Sequence, residues 1–297
     1  IDNFGGVRFD GTNATIIGSK QGEFIADRNN IVRVWMDHGA WPYLTTRLYM
    51  QQTGDIEFLT EANTYFKDAQ ICRGEKRDDR WNDTRGNKQM TEDALPYEGT
   101  VLEHLLIQHL TSFYDVGEHN HIRLRGADWN DGLDMAEERG ESVAFTALYG
   151  GNLKNLAQDI KDYSDKTGKD TVSIAKEILM LLEADSSIYD SIGEKNALLE
   201  KYCDEVGHII SGEKTEVKCD WLADKLTEMS NWITDHIRNT EWTSDKEGNS
   251  WFNGYYDNSG KAVEGDFESG VRMMITGIYS NVRCCHRRTG SRNRKSC

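Results

Sequence analysis

Arg125-Gly126-Ala127-Asp128-Trp129-Asn130-Asp131-Gly132-Leu133-Asp134 is the stretch on which the fold of this chain turns. From Asp128 to Asp134 it holds three carboxylates, one amide and one indole, and Gly126 and Gly132 bracket its centre. Asp and Asn compete with helical hydrogen bonds, and glycine is entropically costly in a helix. The same residues are depleted in strands. A loop set between longer helical segments is therefore expected, and loops on rigid scaffolds carry function. Trp129 offers a flat apolar face able to stack on a sugar ring, and Asn130 and the Asp side chains offer hydrogen bonds to hydroxyls. One carboxyl, held protonated, can donate a proton to a glycosidic oxygen. An Asx-rich turn with Trp129 in the core, or a calcium loop, are the plain alternatives. The spacing does not match an EF-hand loop, which needs a distant Glu.

Outward from this loop, helical periodicity dominates. Thr100 opens a helix bearing Val101, Leu102, Leu105, Leu106, Leu110 and Phe113. His104 and His109 on it lack metal spacing and are expected on its surface or packed. Ser142 is the expected N-cap of a helix through Val143, Leu148, Leu153, Leu156, Ile160 and Tyr163, kinked at Gly150-Gly151. Further helices are expected after Thr171 (Val172 to Leu182), around Leu198 to Ile209, and from Trp221 to Ile237. On the N-terminal side, Trp41-Pro42-Tyr43 suits a first helical turn and Gly54 a stop, with another helix over Phe58 to Phe66. Residues 1–30 read as loops with one strand, and 70–95 as a long polar loop. That loop is a solvated surface segment by default; Trp81 within it raises the alternative of a cover over a substrate cleft. The aromatic stretch Ser250 to Asp257, with its Asn-Gly pair, suits a hairpin or extended segment.

ADWNDGLD, followed by Arg139-Gly140-Glu141-Ser142-Val143, resembles the catalytic loop of glycoside hydrolase family 94. These are the inverting β-glucoside phosphorylases, formerly grouped with glycosyltransferases. In that family an Asp-Trp-Asn-Asp-Gly loop precedes a Gly-Glu-Ser-Val-type helix start, and the second Asp of the loop is the general acid. The resemblance makes Asp131 the catalytic acid. It places Trp129, Asp128, Asn130, Arg125 and Glu141 in the substrate-binding set. Asp37-His38 departs from the family's Asp-Asp pair ahead of its Leu-Trp-Leu segment, so neither residue receives a role; capping or packing is the plain alternative for His38.

The resemblance implies an all-α fold, part of an (α/α)6 barrel truncated at both ends. Residues 1–277 are expected to be the partial catalytic domain. The family's N-terminal β-sandwich is expected to be missing, as is the later barrel segment that supplies a His and a Thr-Gly pair to phosphate. The implied reaction is phosphorolysis of a β-linked gluco-oligosaccharide to α-glucose 1-phosphate with inversion. Inorganic phosphate is the co-substrate, with no cofactor and no metal, and this fragment alone is expected to be inactive. Two alternatives stand: an inverting glycosidase on the same barrel, and a non-catalytic sugar-binding or degenerate product. Cellobiose, chitobiose, cellobionate, laminari- and β-1,2-gluco-oligosaccharides all fit such a site. Family members are often dimers, so a homodimer is an expectation for the full-length protein.

Composition bounds the rest. The 297 residues carry a net charge of −15, which argues against a nucleic-acid partner. No apolar run is long enough to predict a membrane helix. The N-terminus has no Met and no signal-peptide pattern, and reads as the middle of a longer chain. Residues 278–297 contain six Lys and Arg and no acid, leaving 29 Lys and Arg against 50 Asp and Glu before them. Cys284, Cys285 and Cys297 also lie there, whereas Cys72, Cys203 and Cys219 are scattered. Scattered cysteines predict a reduced, cytoplasmic protein. The abrupt loss of acids and apolar periodicity after Gly277 predicts an aberrant, frameshifted tail; a natural basic tail is the alternative, and resequencing the gene separates the two.

Overall fold

Among the described residues, six α-helices carry the core of the computed structural model: α1 (Trp41–Thr53), α2 (Val101–Tyr114), α3 (Val143–Thr167), the single turn α4 (Leu179–Leu182), α5 (Ile192–Val206) and α6 (Cys219–Thr240). The structure describes residues 1–26, 32, 34–125, 136, 138–244 and 248–263. Gly126 to Met135, with Asp128, Trp129, Asn130 and Asp131, and the segment 264–297 lie outside the described residues.

Every residue of α2 is buried, as befits a helix that is apolar nearly all round. The Thr100 side chain caps it, accepting from the Glu103 N–H at 3.1 Å. The two histidines of α2 are packed, not superficial: the His104 ring stacks on Tyr65 with centroids 3.7 Å apart, and His109 lies edge-on to Tyr43 and Tyr149. α5 and α3 pack against α2, and α6 runs along α3. This is a predominantly helical domain, consistent with part of a helical barrel.

The caps fall where the sequence places them. Ser142 accepts from the Phe145 N–H at 3.0 Å, Pro42 sits in the first turn of α1, and Gly54 ends α1 in the left-handed conformation. Gly150, however, does not kink α3, which runs unbroken from Val143 to Thr167. A Cβ there would lie 2.8 Å from Ile233 Cγ2 of α6, and Ser230 Oγ donates to the Gly150 carbonyl at 2.7 Å. The glycine serves close helix approach.

One expected helix, Val172 to Leu182, is cut down to its last turn, α4, and another is replaced. Thr171–Ala175 is a strand, paired antiparallel with Lys214–Lys218. Its β-branched residues alternate, with Val172 and Ile174 buried and Thr171 and Ser173 half-buried, and that period of two prevails over the helical spacing of the apolar residues downstream. The helix expected over Phe58 to Phe66 is a 3-10 segment, Ile56–Thr60, begun by Asp55 accepting from the Phe58 N–H, and then a strand, Ala62–Thr64, paired with Glu98–Thr100. Among the described residues there are thirteen strands of two to five residues, all in antiparallel pairs or one three-stranded sheet. The domain is therefore not purely α. The polar stretch 70–95 contains one such pair, Gln70–Ile71 with Lys76–Arg77, fastened to α5 where Lys76 meets Glu200 and Asp204 at 2.9 and 2.7 Å.

Candidate functional site

The strands that flank the Asp-Trp-Asn-Asp stretch in sequence pair with each other as a hairpin stem. Its arms are Ile122–Arg123 and Glu141–Ser142, in register Ile122 with Ser142 and Arg123 with Glu141. The Leu124 N–H donates to the Gly140 carbonyl at 2.9 Å, so the stem closes just outside the motif. Tyr255–Tyr256 adds a third strand on the far side of Glu141–Ser142. The aromatic stretch 250–257 is thus not a hairpin on itself; Ser250–Phe252 pairs instead with Trp242–Ser244. Glycine is required at 140, because a Cβ would lie 2.1 Å from the Ala136 carbonyl oxygen as the chain returns. The Glu138 and Arg139 N–H groups both donate to Asn258 Oδ1 at 2.8 Å, tying the returning arm to the turn after Tyr256.

Arg125 marks where the motif leaves the stem, in the left-handed region with φ 57°. Its Nε and Nη2 donate to the two oxygens of Asp115 at 2.9 and 2.6 Å, the bidentate fork that suits arginine to carboxylate. Arg73, also left-handed with φ 51°, donates its Nε to the same carboxylate at 2.6 Å. The Arg73 backbone N–H in turn donates to Asp10 at 2.8 Å. Glu75 joins Arg123 and Arg125 from outside, accepting from their Nη1 atoms at 3.0 and 2.6 Å. Asp115 is fully buried. Burial alone would raise its carboxyl, but Arg125 and Arg73 reverse that and hold it well below the usual carboxylate range.

Glu141 lies in the stem, 1% exposed. Its oxygens accept from the His119 and His121 backbone N–H groups at 3.0 Å and contact His119 Nδ1 at 2.7 Å. Gly117 makes room for it, since a Cβ there would meet the Glu141 carboxyl carbon at 2.5 Å. The His119 ring stacks on Tyr256 with centroids 3.6 Å apart. The Tyr256 hydroxyl donates to Glu241, which also pairs with His121 Nε2 at 2.8 Å. Burial pushes Glu241 up, while His121, Asn253 and Thr240 pull it down further, to about 2. A layer of histidine, tyrosine and glutamate therefore backs the sheet that presents the motif.

Asp37 reaches the same place from far away in sequence. Trp35 bridges Arg125 in antiparallel fashion, so the 3-10 turn Met36–Gly39 follows directly on the motif's base. The Tyr149 hydroxyl donates to the Met36 carbonyl at 2.6 Å and Asn152 donates to the Ala40 carbonyl at 3.2 Å, fixing the turn on α3. Trp41 Nε1 donates to Asp37 Oδ2 at 2.8 Å, whereas the buried Oδ1 has no partner among the described residues. A buried carboxylate oxygen left open is costly unless something else meets it. The sequence gives Asp37 no role, because only the Trp35–Arg125 bridge brings it to the loop. Of the expected site residues, the structure brings Arg125 and Glu141 to the same strand pair; Asp128, Trp129, Asn130 and Asp131 lie outside the described residues.

The catalytic-domain model of the glycosyl hydrolase 94 superfamily matches residues 79–240, more than half of the 297. The matched range spans α2, the whole motif hairpin and α3 to α6. No curated protein matches the chain. Among the described residues no helix is long and apolar enough to cross a membrane.

Proposed function

The chain belongs to the glycosyl hydrolase 94 superfamily, a family of carbohydrate-active enzymes, and on that premise we propose that it is the catalytic part of an inverting β-glucoside phosphorylase. The six helices would then form part of an (α/α)6 barrel. Asp131 is the general acid that protonates the leaving glycosidic oxygen. Inorganic phosphate attacks the anomeric carbon from the opposite face and leaves as α-glucose 1-phosphate. Such a reaction needs one protein carboxylic acid, whereas an inverting hydrolase needs a second carboxylate to activate water. Trp129 stacks on the sugar, and Asp128 and Asn130 hold its hydroxyls. Arg125, gripped by Asp115, fixes the base of the loop, and the open oxygen of Asp37 accepts from a sugar hydroxyl.

What supports this reading is the position of the motif in sequence within the family match, between two paired strands fastened at Arg125 and Glu141. The test is release of sugar 1-phosphate from β-linked glucosides by the full-length protein, with and without inorganic phosphate. Phosphate-dependent glucose 1-phosphate is expected. Free glucose released equally without phosphate would make it a hydrolase. Sugar binding without turnover on any substrate would leave a binding protein.

A further inference from the structure

Two buried thiols line one cleft beside the Arg125 clamp. Cys72 begins the 3-10 turn Cys72–Gly74, and Cys203 lies on α5, which packs on that turn. Both are free, 5% and 2% exposed, and both line one cleft of about 350 Å³ that also borders Glu75, Lys76, Arg123 and Arg125. Cys72 Sγ donates to Oδ1 of Asp204, the neighbour of Cys203, at 3.6 Å. The turn is unusual: Cys72, Arg73 and Gly74 are all left-handed, with φ 52°, 51° and 85°. Consecutive non-glycine residues in that region are strained and persist only where the surroundings fix them. Here Arg73 is fixed by Asp10 and Asp115, and Cys72 is thereby delivered against α5.

We propose that Cys72 and Cys203 are a reversible redox-modification site, closing to a disulfide when a small peroxide enters the cleft. The two cysteines play different parts. Cys72 Sγ donates to the Asp204 carboxylate, which can take up the thiol proton as the sulfur attacks. Cys203 is held as a thiol by Cys72 and by burial, both of which push it up. The Cys72 thiolate attacks one oxygen of hydrogen peroxide, the O–O bond breaks, and the departing hydroxide takes up the thiol proton to leave as water. Cys72 is now a sulfenic acid. Cys203 sulfur attacks the Cys72 sulfur, the S–O bond breaks, and the hydroxide leaves as a second water with the Cys203 proton. Two thiols are oxidised by two electrons and one peroxide is reduced to two waters. The bond would join α5 to the turn whose next residue, Arg73, holds Asp115 and so the base of the motif hairpin.

The native full-length protein tests this with hydrogen peroxide alone as the probe. After brief treatment, free thiols are alkylated and the chain is digested with trypsin. The cut sites place Cys72 in residues 68–73 and Cys203 in residues 202–214. A cross-linked pair of these peptides is expected, lighter by two hydrogens than their sum, with both thiols recovered by dithiothreitol. Cys203→Ser is expected to leave Cys72 as a sulfenic acid captured by dimedone. Cys72 and Cys203 both remaining alkylatable while other cysteines oxidise would overturn the proposal. So would Cys72 driven to sulfinic acid with Cys203 still free, or a cross-link that forms only after denaturation.

Discussion

Asp115 and Arg125 stand ten residues apart and face each other across two hydrogen bonds, 2.9 and 2.6 Å long, just ahead of the Asp-Trp-Asn-Asp stretch in sequence. The carboxylate is wholly buried and the Arg125 side chain is 13% exposed. Arg73 completes the contact from the opposite side. One negative charge thus orders two guanidiniums, both on left-handed backbone, and relates the N-terminal turns to the motif hairpin.

Asp115→Asn should be severely destabilising. It leaves two buried guanidiniums facing a neutral amide that can accept through one oxygen only. Breaking a buried pair from one side costs about 3–5 kcal/mol. Urea unfolding at pH 7 is the measurement, and a loss under about 1 kcal/mol would mean that solvent or Glu75 compensates.

Glu103 gives the fold a dependence on pH. It is buried in α2, accepting from the Tyr65 and Tyr97 hydroxyls at 2.8 and 3.0 Å and from the Ala175 N–H at 2.8 Å. Burial raises it from 4.5 to about 7 despite those three donors. The folded state therefore binds more protons than the unfolded state between these values. The stability this group contributes is fully present below pH 4.5 and is lost as pH rises through about 7. Glu103→Gln should flatten that slope, which carries roughly 3 kcal/mol for a shift of this size. Urea midpoints at pH 5 and pH 8 for the two proteins decide it; parallel profiles would assign the slope to another group. Glu241, pulled down to about 2, acts in the opposite sense, and its contribution disappears as pH falls from 4.5 through that value.

Gly150→Ala tests the close approach of α3 and α6. Alanine gains about 1 kcal/mol of helix propensity over glycine. Against this, the new methyl would lie 2.8 Å from Ile233 Cγ2 and 3.3 Å from its Cβ, atoms on a β-branched side chain with little room to rotate. Overpacking costs about 1–3 kcal/mol, so a net loss is expected. A raised melting temperature would show that α6 can shift freely. Ile233→Ala, which removes Cγ2, should reduce the penalty of the glycine substitution in a double-mutant cycle.

The contrast between Gly150 and Ser142 indicates what could be read from sequence. Ser142, Thr100, Pro42 and Gly54 act through neighbours within a turn, and their residue types alone placed both ends of α1 and the starts of α2 and α3. Gly150 acts through α6, eighty residues on, and was misread as a kink. The same limit hid the strand Thr171–Ala175, whose partner is Lys214–Lys218, and the joining of Tyr255–Tyr256 to the motif stem. At the candidate site the motif itself was legible because its residues are consecutive. Asp115, Arg73 and Asp37 were not, because only the folded chain brings them to Arg125, directly or through Trp35.

Asp37→Asn should lower kcat/KM with little effect on folding. The amide can still accept from Trp41 Nε1 through its oxygen, so the 3-10 turn keeps its main tie. It then turns an NH2 group toward the space that Oδ1 now faces. Hydrogen bonds to a charged group contribute about 1.5–3 kcal/mol, or about ten- to a hundredfold in kcat/KM. Steady-state kinetics on the best β-glucoside of the panel, alongside thermal unfolding, gives the answer. An unchanged kcat/KM would return Asp37 to a purely structural part.

Asp131→Asn separates proton donation from every other role of the loop. If Asp131 protonates the leaving oxygen, asparagine should cut turnover of an ordinary disaccharide by about a hundred- to ten-thousandfold. An aryl glucoside with an acidic phenol as leaving group needs little protonation, so phosphorolysis of that substrate should fall far less. Sugar binding, followed by quenching of tryptophan fluorescence, should persist, because the amide is close to isosteric with the acid it replaces. Equal losses on both substrates would place Asp131 in sugar binding rather than in proton transfer. The search for the acid would then move to Asp128, Asp134 and Asp37.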